Sequence, residues 1–454
     1  MSADGFWSSL LAVAAILIVS LVLGWFLAGC LVLKSARFRL ERLGWSVALA
    51  ASWIALNVCV SFTLKLRPGW LSFLGLAAIG LGLARRFALA RDDQSLPNKF
   101  RSPLVSFLLL LLTAFGVAAY LARGLSEPMW SNDFLAVWGL KGKTIFGDGA
   151  IPQRLFRWPE FEFSNPDYPL GLPLLYAGLA FLLGRWEDHA TALLFPFFQI
   201  GTLLVLVGWL KRRGASNVLA LAASALVANF SFLYSAWLTG MAEVAVSFGF
   251  LLVAIALCDA IDQTDPGATR RLFLAALLTA ATKNEGAVLI AIVLVLIALR
   301  SVRQAKRPPW GVLAAVFVAG FACYLTHRLV LGSHRVRSLD LSLLWRPGLI
   351  HRIRETLHQE SIQLLRPNWP ALAAVAGLLL LARYDELSKR ILFLGFGLLA
   401  IYLFLPVLCP FGPEWLVHWT LGRIIAAVVP LAAAGIGAGW IREKPVASDS
   451  PGLS

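Results

Sequence analysis

Apolar runs dominate the chain, and short polar breaks separate them. Runs at 6–33, 45–64, 104–121, 190–210, 218–237, 311–331, 391–408 and 420–440 are of the length that about 30 Å of hydrocarbon asks of a helix. Shorter runs at 70–83, 244–257, 272–282, 287–299 and 371–381 read as further crossings. A β-barrel would instead show short alternating segments. The pattern predicts an all-α polytopic membrane protein with about thirteen transmembrane helices. A ten-residue run at 174–183 is too short to count among them.

Composition agrees with this class: 59% of the 454 residues are apolar and 14% are charged. The formal charge of +15 does not call for nucleic acid, because lysine and arginine gather in short loops between runs. Cytoplasmic positive charge of that kind orients a membrane chain. The breaks at Lys34–Arg39, Arg85–Arg101, Lys211–Arg213, 259–271 and Arg300–Arg307 are therefore expected inside. That places the N-terminus and two long polar intervals, 122–173 and 332–369, outside. The alternation stays consistent only if 174–183 is a re-entrant or tilted helix that does not fully cross. The first run is too long for a signal-peptide core and has no basic residues before it, so it reads as a retained span. The five cysteines are scattered, with neither a disulfide framework nor a metal spacing.

The outer intervals carry the candidate chemistry. Trp130-Ser131-Asn132-Asp133 opens the first one. From Asp133 onward, Phe134, Val137, Trp138 and Ile145 share one side at helical spacing and Lys143 falls opposite. Such a helix would lie along the interface with Trp138 at headgroup depth. Asp133 then either meets a lipid-borne substrate or, with Asn132, merely caps the helix. The interval closes on Asn165-Pro166-Asp167-Tyr168-Pro169, whose prolines, with Pro173, delay any helix until after Pro173 and set Asp167 on a stiff turn. Glu243 stands at the start of an apolar run, where an acid faces a polar partner or snorkels to the interface. Lys283-Asn284-Glu285-Gly286 breaks one long apolar stretch into a pair, with Gly286 allowing the turn back.

The second outer interval holds Arg335, Arg337, Arg346, Arg352, Arg354 and Arg366. Guanidinium groups there suit phosphate oxygens, or simply anionic headgroups. His351, Glu355 and His358 fall on one helical face and could hold a divalent metal, although such spacing arises easily by chance. Arg423 tops the last run. Asp133, Asp167, Glu243, Lys283, Glu285, Arg423 and the basic interval all map to one membrane face. Acids beside phosphate-binding cations fit a reaction on a lipid phosphate, in which one carboxylate takes an acceptor proton and cations balance the leaving group.

At these residues the chain resembles the GT-C superfamily of polytopic glycosyltransferases that use polyprenyl-phosphate-linked sugars. It looks most like the protein O-mannosyltransferase and lipid A aminoarabinose transferase branch. The resemblance rests on Asn132-Asp133, Trp138-Gly139-Leu140-Lys141-Gly142-Lys143, Asp167-Tyr168-Pro169-Leu170, Leu238-Thr239-Gly240-Met241-Ala242-Glu243, Thr282-Lys283-Asn284-Glu285-Gly286, and Gly422-Arg423 with Pro430. It covers residues 104–440, with 1–103 as an N-terminal addition and 441–454 as a disordered cytoplasmic tail. It implies a GT-C-like bundle with interfacial helices in the first outer loop, in the plasma (inner) membrane, with an active site on the extracytoplasmic face. Asp133 matches the acid that acts as or beside the catalytic base. Glu243 matches a second acidic position where the family usually has aspartate, and it joins Asp133 as a catalytic candidate. Lys283 and Arg423 match cations near the lipid phosphate. Lys141, Asp167, Glu285, Arg335 and Arg337 join them as candidate substrate-binding residues. Where relatives often carry His-Pro-Pro, this chain has Asn165-Pro166-Asp167-Tyr168-Pro169. The donor would be a polyprenyl-phosphate sugar and the acceptor a lipid, glycan or protein hydroxyl. No cofactor is required by the pattern beyond a possible divalent metal. An O-antigen ligase or polymerase acting through the 332–369 interval, or a lipid or sugar transporter, are the alternative readings.

Overall fold

The computed structural model describes residues 3–32, 39–86, 102–262, 267–303, 310–325, 341–365, 376, 379, 385–409 and 412–441. Among them there is no strand. The helices run α1 (Ala3–Leu31), α2 (Arg39–Thr63), α3 (Trp70–Arg86), α4 (Pro103–Ser126), α5 (Gly139–Asp148), the short α6 (Arg154–Arg157), α7 (Gly171–Leu183) and the short α8 (Asp188–Thr191). They continue as α9 (Leu194–Arg212), α10 (Asn217–Ala228), α11 (Glu243–Asp262), α12 (Ala268–Thr282), α13 (Asn284–Arg303), α14 (Trp310–Leu325), α15 (Leu349–Leu365), α16 (Glu386–Phe404) and α17 (Pro413–Gly439). Among the described residues, seven helical stretches are long and apolar enough to cross a membrane: Gly5–Leu31, Arg39–Thr63, Pro103–Ser126, Asp188–Arg212, Glu243–Asp262, Glu386–Leu408 and Leu416–Gly439. The chain is thus a helical, multi-pass membrane protein. Arg335, Arg337, nearly all of the 371–381 run and the tail from residue 442 lie outside the described residues.

Close approach between helices relies on small residues, as is usual where lipid offers no hydrophobic drive. A Cβ on Gly24 would sit 2.2 Å from the Ser46 carbonyl oxygen, and one on Gly44 would sit 2.4 Å from Val205. A Cβ on Gly208 would meet the Glu41 backbone nitrogen at 2.3 Å. Through these contacts α1 packs on α2, and α2 packs on α9.

Ion pairs hold one end of the bundle. Asp259, at the C-terminal end of α11, is fully buried and takes Arg212 at 2.5 Å, Arg213 at 2.9 Å and Arg271 at 2.9 Å. Arg212 also meets buried Glu41 at 2.7 Å, and Asp262 joins Arg213 at 3.0 Å to Arg390 at 2.5 Å. This tie fixes α2, α9, α11, α12 and α16 to one another. The other end is where α4 finishes. There the His189 ring bonds the Leu125 carbonyl and meets the Phe6 ring at a tilt, and Ser9 meets Arg185 and Glu187.

The runs at 174–183 and 218–237 each give rise to a short helix. The helix expected over 174–183 begins two residues before Pro173, at Gly171, since proline is tolerated in a first turn. Its start packs against the C-terminal end of α12, where a Cβ on Gly171 would be 2.4 Å from the Ala281 oxygen. Its finish meets the start of α3, where the Trp70 indole donates to the Leu182 carbonyl at 3.0 Å. At 13 residues α7 is shorter than the seven long apolar helices. The run at 218–237 does not form one helix. It stops at Ala228, because the Asn229 amide turns back to the Ala225 carbonyl at 2.9 Å and across to the Leu112 carbonyl at 3.0 Å. The chain then climbs irregularly to Glu243.

Asp259→Asn removes the buried carboxylate that Arg212, Arg213 and Arg271 share and is expected to cost about 3–5 kcal/mol. Asp262→Asn, at a quarter-exposed pair, is expected to cost about 1 kcal/mol or less. Thermal unfolding in detergent checks this: equal drops in midpoint for the two variants would contradict the described anchoring.

Candidate functional site

The first acid is placed by a serine. The Phe134 amide donates to Ser131 Oγ at 3.3 Å, and that hydroxyl donates onward to the Thr239 carbonyl at 3.4 Å. Ser131 thereby caps the helix, and Asp133 makes no side-chain cap bond. Phe134–Trp138 form a π-turn that leads directly into α5. Such turns insert one extra residue and re-aim side chains. The freed Asp133 carboxylate reaches Arg423 Nη2 at 2.5 Å, across 290 residues of sequence. The capping reading of Asp133 does not hold.

Glu243 is placed by the irregular climb before it. Gly240 takes φ +93°, where a side chain is disfavoured, and its carbonyl accepts from the Tyr176 hydroxyl at 3.0 Å. Glu243 follows as the first residue of α11, with 1% of its side chain exposed. Its Oε1 accepts from Lys283 Nζ at 2.9 Å and from Arg423 Nε at 2.7 Å, with Arg423 Nη2 at 2.5 Å. One carboxylate oxygen thus carries both cations.

Lys283 sits in the break between α12 and α13, extended at φ −158°. Glu285 closes on it at 2.5 Å. The break is where the sequence predicted it, but the reason for Gly286 differs. Gly286 has no left-handed φ. It is required because a Cβ would come within 2.1 Å of the Thr279 carbonyl oxygen.

The apolar face predicted for the Asp133 helix is correct in membership: Phe134, Val137, Trp138 and Ile145 are all buried and Lys143 is exposed. Its partner is different. Instead of meeting headgroups, Trp138 is fully buried and stacks on Tyr168 at 5.1 Å with the rings 9° apart. Phe134 meets Tyr176 of α7 edge-on at 5.6 Å. Lys141 lies on this buried side too, and it anchors the proline-rich turn by donating to the Asn165 carbonyl at 2.6 Å. It holds the loop rather than reaching the ion network. Asp167 stands near Lys141. Burial pushes the Lys141 ammonium down to about 7, and Asp167 opposes the shift.

Tyr168 is a residue that motif reading quoted without assigning a role. Its phenol feels Glu285, Lys283, Arg423 and Asp133, and burial, then Glu285, pushes it well above its ordinary value. A phenol that stays protonated is a hydrogen-bond donor beside the ion network. The only sequence signal for it was a tyrosine held between two prolines.

A small, partly open cavity, with about 10 Å³ open to the centre of a water molecule, lies against this network. Glu243, Lys283, Glu285 and Arg423 form its polar wall, and Phe250 and Leu398 belong to its apolar one. Asp133, Glu243 and Glu285 are three carboxylates against two cations, so the assembly leans negative while both cations are engaged. His351, Glu355 and His358 do lie on helix α15, but among the described residues no three His, Cys, Asp or Glu side chains gather as a metal site. Of the second interval's arginines, Arg352 is used to bind the Val407 carbonyl at 3.0 Å and the Cys409 carbonyl.

No family model, curated protein or solved structure matches the chain.

Lys141 yields a pH prediction. Between about 7 and its ordinary 10.5 the folded chain holds it neutral while the unfolded chain protonates it. The unfolded state then binds more protons, so stability rises with pH through that window. Relative to Lys141→Met, the wild-type unfolding midpoint is expected to climb from pH 7 to about pH 9. A pH-independent difference would show that Lys141 stays charged.

Proposed function

We propose that this chain is a membrane glycosyltransferase that moves a sugar from a polyprenyl-phosphate donor to a hydroxyl acceptor on the extracytoplasmic side. The observation that carries the reading is the convergence of Asp133, Glu243, Lys283, Glu285 and Arg423, from four separate segments, into one ion network beside a cavity. The order of those residues is also the order in which the chain resembles GT-C enzymes. In this reading about thirteen helices cross the membrane and the Asp133–α5 segment stands at its outer surface.

The reaction is a single inverting displacement. The acceptor oxygen attacks the anomeric carbon, the bond from that carbon to the phosphate oxygen breaks, and polyprenyl phosphate leaves. The acceptor proton passes to Asp133, whose side chain is the most exposed of the three acids at 28%. Lys283 and Arg423 balance the charge that grows on the departing phosphate. Glu243, 1% exposed and bonded to both cations, acts by fixing them in place. Arg335 and Arg337 of the second interval are further candidates for the phosphate.

The test uses purified protein in nanodiscs with a panel of radiolabelled polyprenyl-phosphate sugars. Wild type is expected to transfer label with inversion, and Asp133→Asn at a rate lower by about 10²–10⁴ with its unfolding midpoint intact. Equal transfer by both would remove Asp133 from the chemistry and favour a ligase working through the second interval. Donor movement across the bilayer with no product would identify a transporter.

A further inference from the structure

We infer that Arg423 is shared in time between Asp133 and the donor phosphate, so that loading the donor is what frees the base. This rests on the proposed function and adds an order of binding to it, donor before acceptor.

The geometry is a competition for one guanidinium. Arg423 Nη2 lies 2.5 Å from Asp133 Oδ2 and 2.5 Å from Glu243 Oε1, while Nε is spent on Glu243 at 2.7 Å. Lys283 is likewise divided, between Glu243 at 2.9 Å and Glu285 at 2.5 Å. With three carboxylates already sharing two cations, a phosphate brought to the same cavity adds more negative charge. One acid must yield, because like charges at contact distance are strongly disfavoured.

The acids differ in how readily they can yield. Glu243 is 1% exposed and holds both cations through one oxygen; uncoupling it would leave a buried charge unpaired. Glu285 is 14% exposed and is bound to Lys283. Asp133 is 28% exposed, has a single ion pair in the network, and stands at the mouth of a π-turn rather than inside a bundle helix. Asp133 is the acid that leaves. Once off Arg423, its oxygen is open to an acceptor proton, and Arg423 is open to the phosphate. An acceptor arriving at the empty site meets a carboxylate already engaged, which guards the base until a donor is present.

The test is equilibrium binding of a short-chain polyprenyl phosphate to wild type, Asp133→Asn and Asp133→Ala in detergent. The matching polyprenyl alcohol serves as control, and unfolding midpoints verify the fold. Removing a competitor should help the ligand, so both variants are expected to bind the phosphate about tenfold tighter than wild type, with the alcohol unchanged. Equal or weaker phosphate binding by the variants, while wild type still binds, would overturn the exchange and leave the transferase reading standing. Tightening of the alcohol as well would also overturn it, since charge would not be the cause. Phosphate binding by none of the three proteins would overturn the exchange and the transferase reading together.

Discussion

The site depends on one buried carboxylate oxygen. Glu243 Oε1 takes Lys283 and Arg423 together, at the first residue of a helix that is otherwise apolar down to Asp259. An acid at that depth is tolerable only when its charge is answered. The answer comes from two distant places, the break between α12 and α13 and the upper part of α17. Those elements are held where they are in part because Glu243 requires them there. Asp133 and Glu285 then attach to the outward sides of the same two cations, and so the network builds from the buried acid toward the surface.

Helix α11 has an acid near each end, and this gives the bundle its frame. Asp259 gathers three arginines at one end and Glu243 gathers two cations at the other. The stretch between them is almost wholly buried. The first cluster is closed and ties five helices. The second borders a cavity and includes a partly exposed acid on a separate loop. A closed cluster at one end and a cluster beside a cavity at the other suit the proposed transferase, whose cations would have to be held in place.

Much of the site could be read from the residues, because charge inside apolar runs is rare and expensive. Glu243, Lys283, Glu285 and Arg423 stood out for that reason, and the structure brings them together. The apolar periodicity from Phe134 to Ile145 also named the right buried set. Partners were harder. Periodicity says which face is apolar and not what covers it, so Trp138 was set against headgroups when it stacks on Tyr168. Lys141 looked like a substrate ligand from its place in a motif, whereas its burial and its bond to Asn165 serve the loop. The end of α10 at Ala228 turns on one asparagine side chain, Asn229, inside a run whose composition is helical throughout. Ser131 took the cap that Asp133 was equally entitled to by residue type. The pairing of Asp133 with Arg423 spans 290 residues and has no local signature at all.

The most direct measurement of the central claim is a double-mutant cycle on Glu243→Gln and Lys283→Met, read by unfolding stability in detergent. If Glu243 is the anchor, each single change leaves a buried charge short of a partner, and the double variant should be less destabilised than the sum by about 2 kcal/mol or more. Additive losses within about 0.5 kcal/mol would mean that the two side chains act independently, and the account of the site built on Glu243 would be wrong.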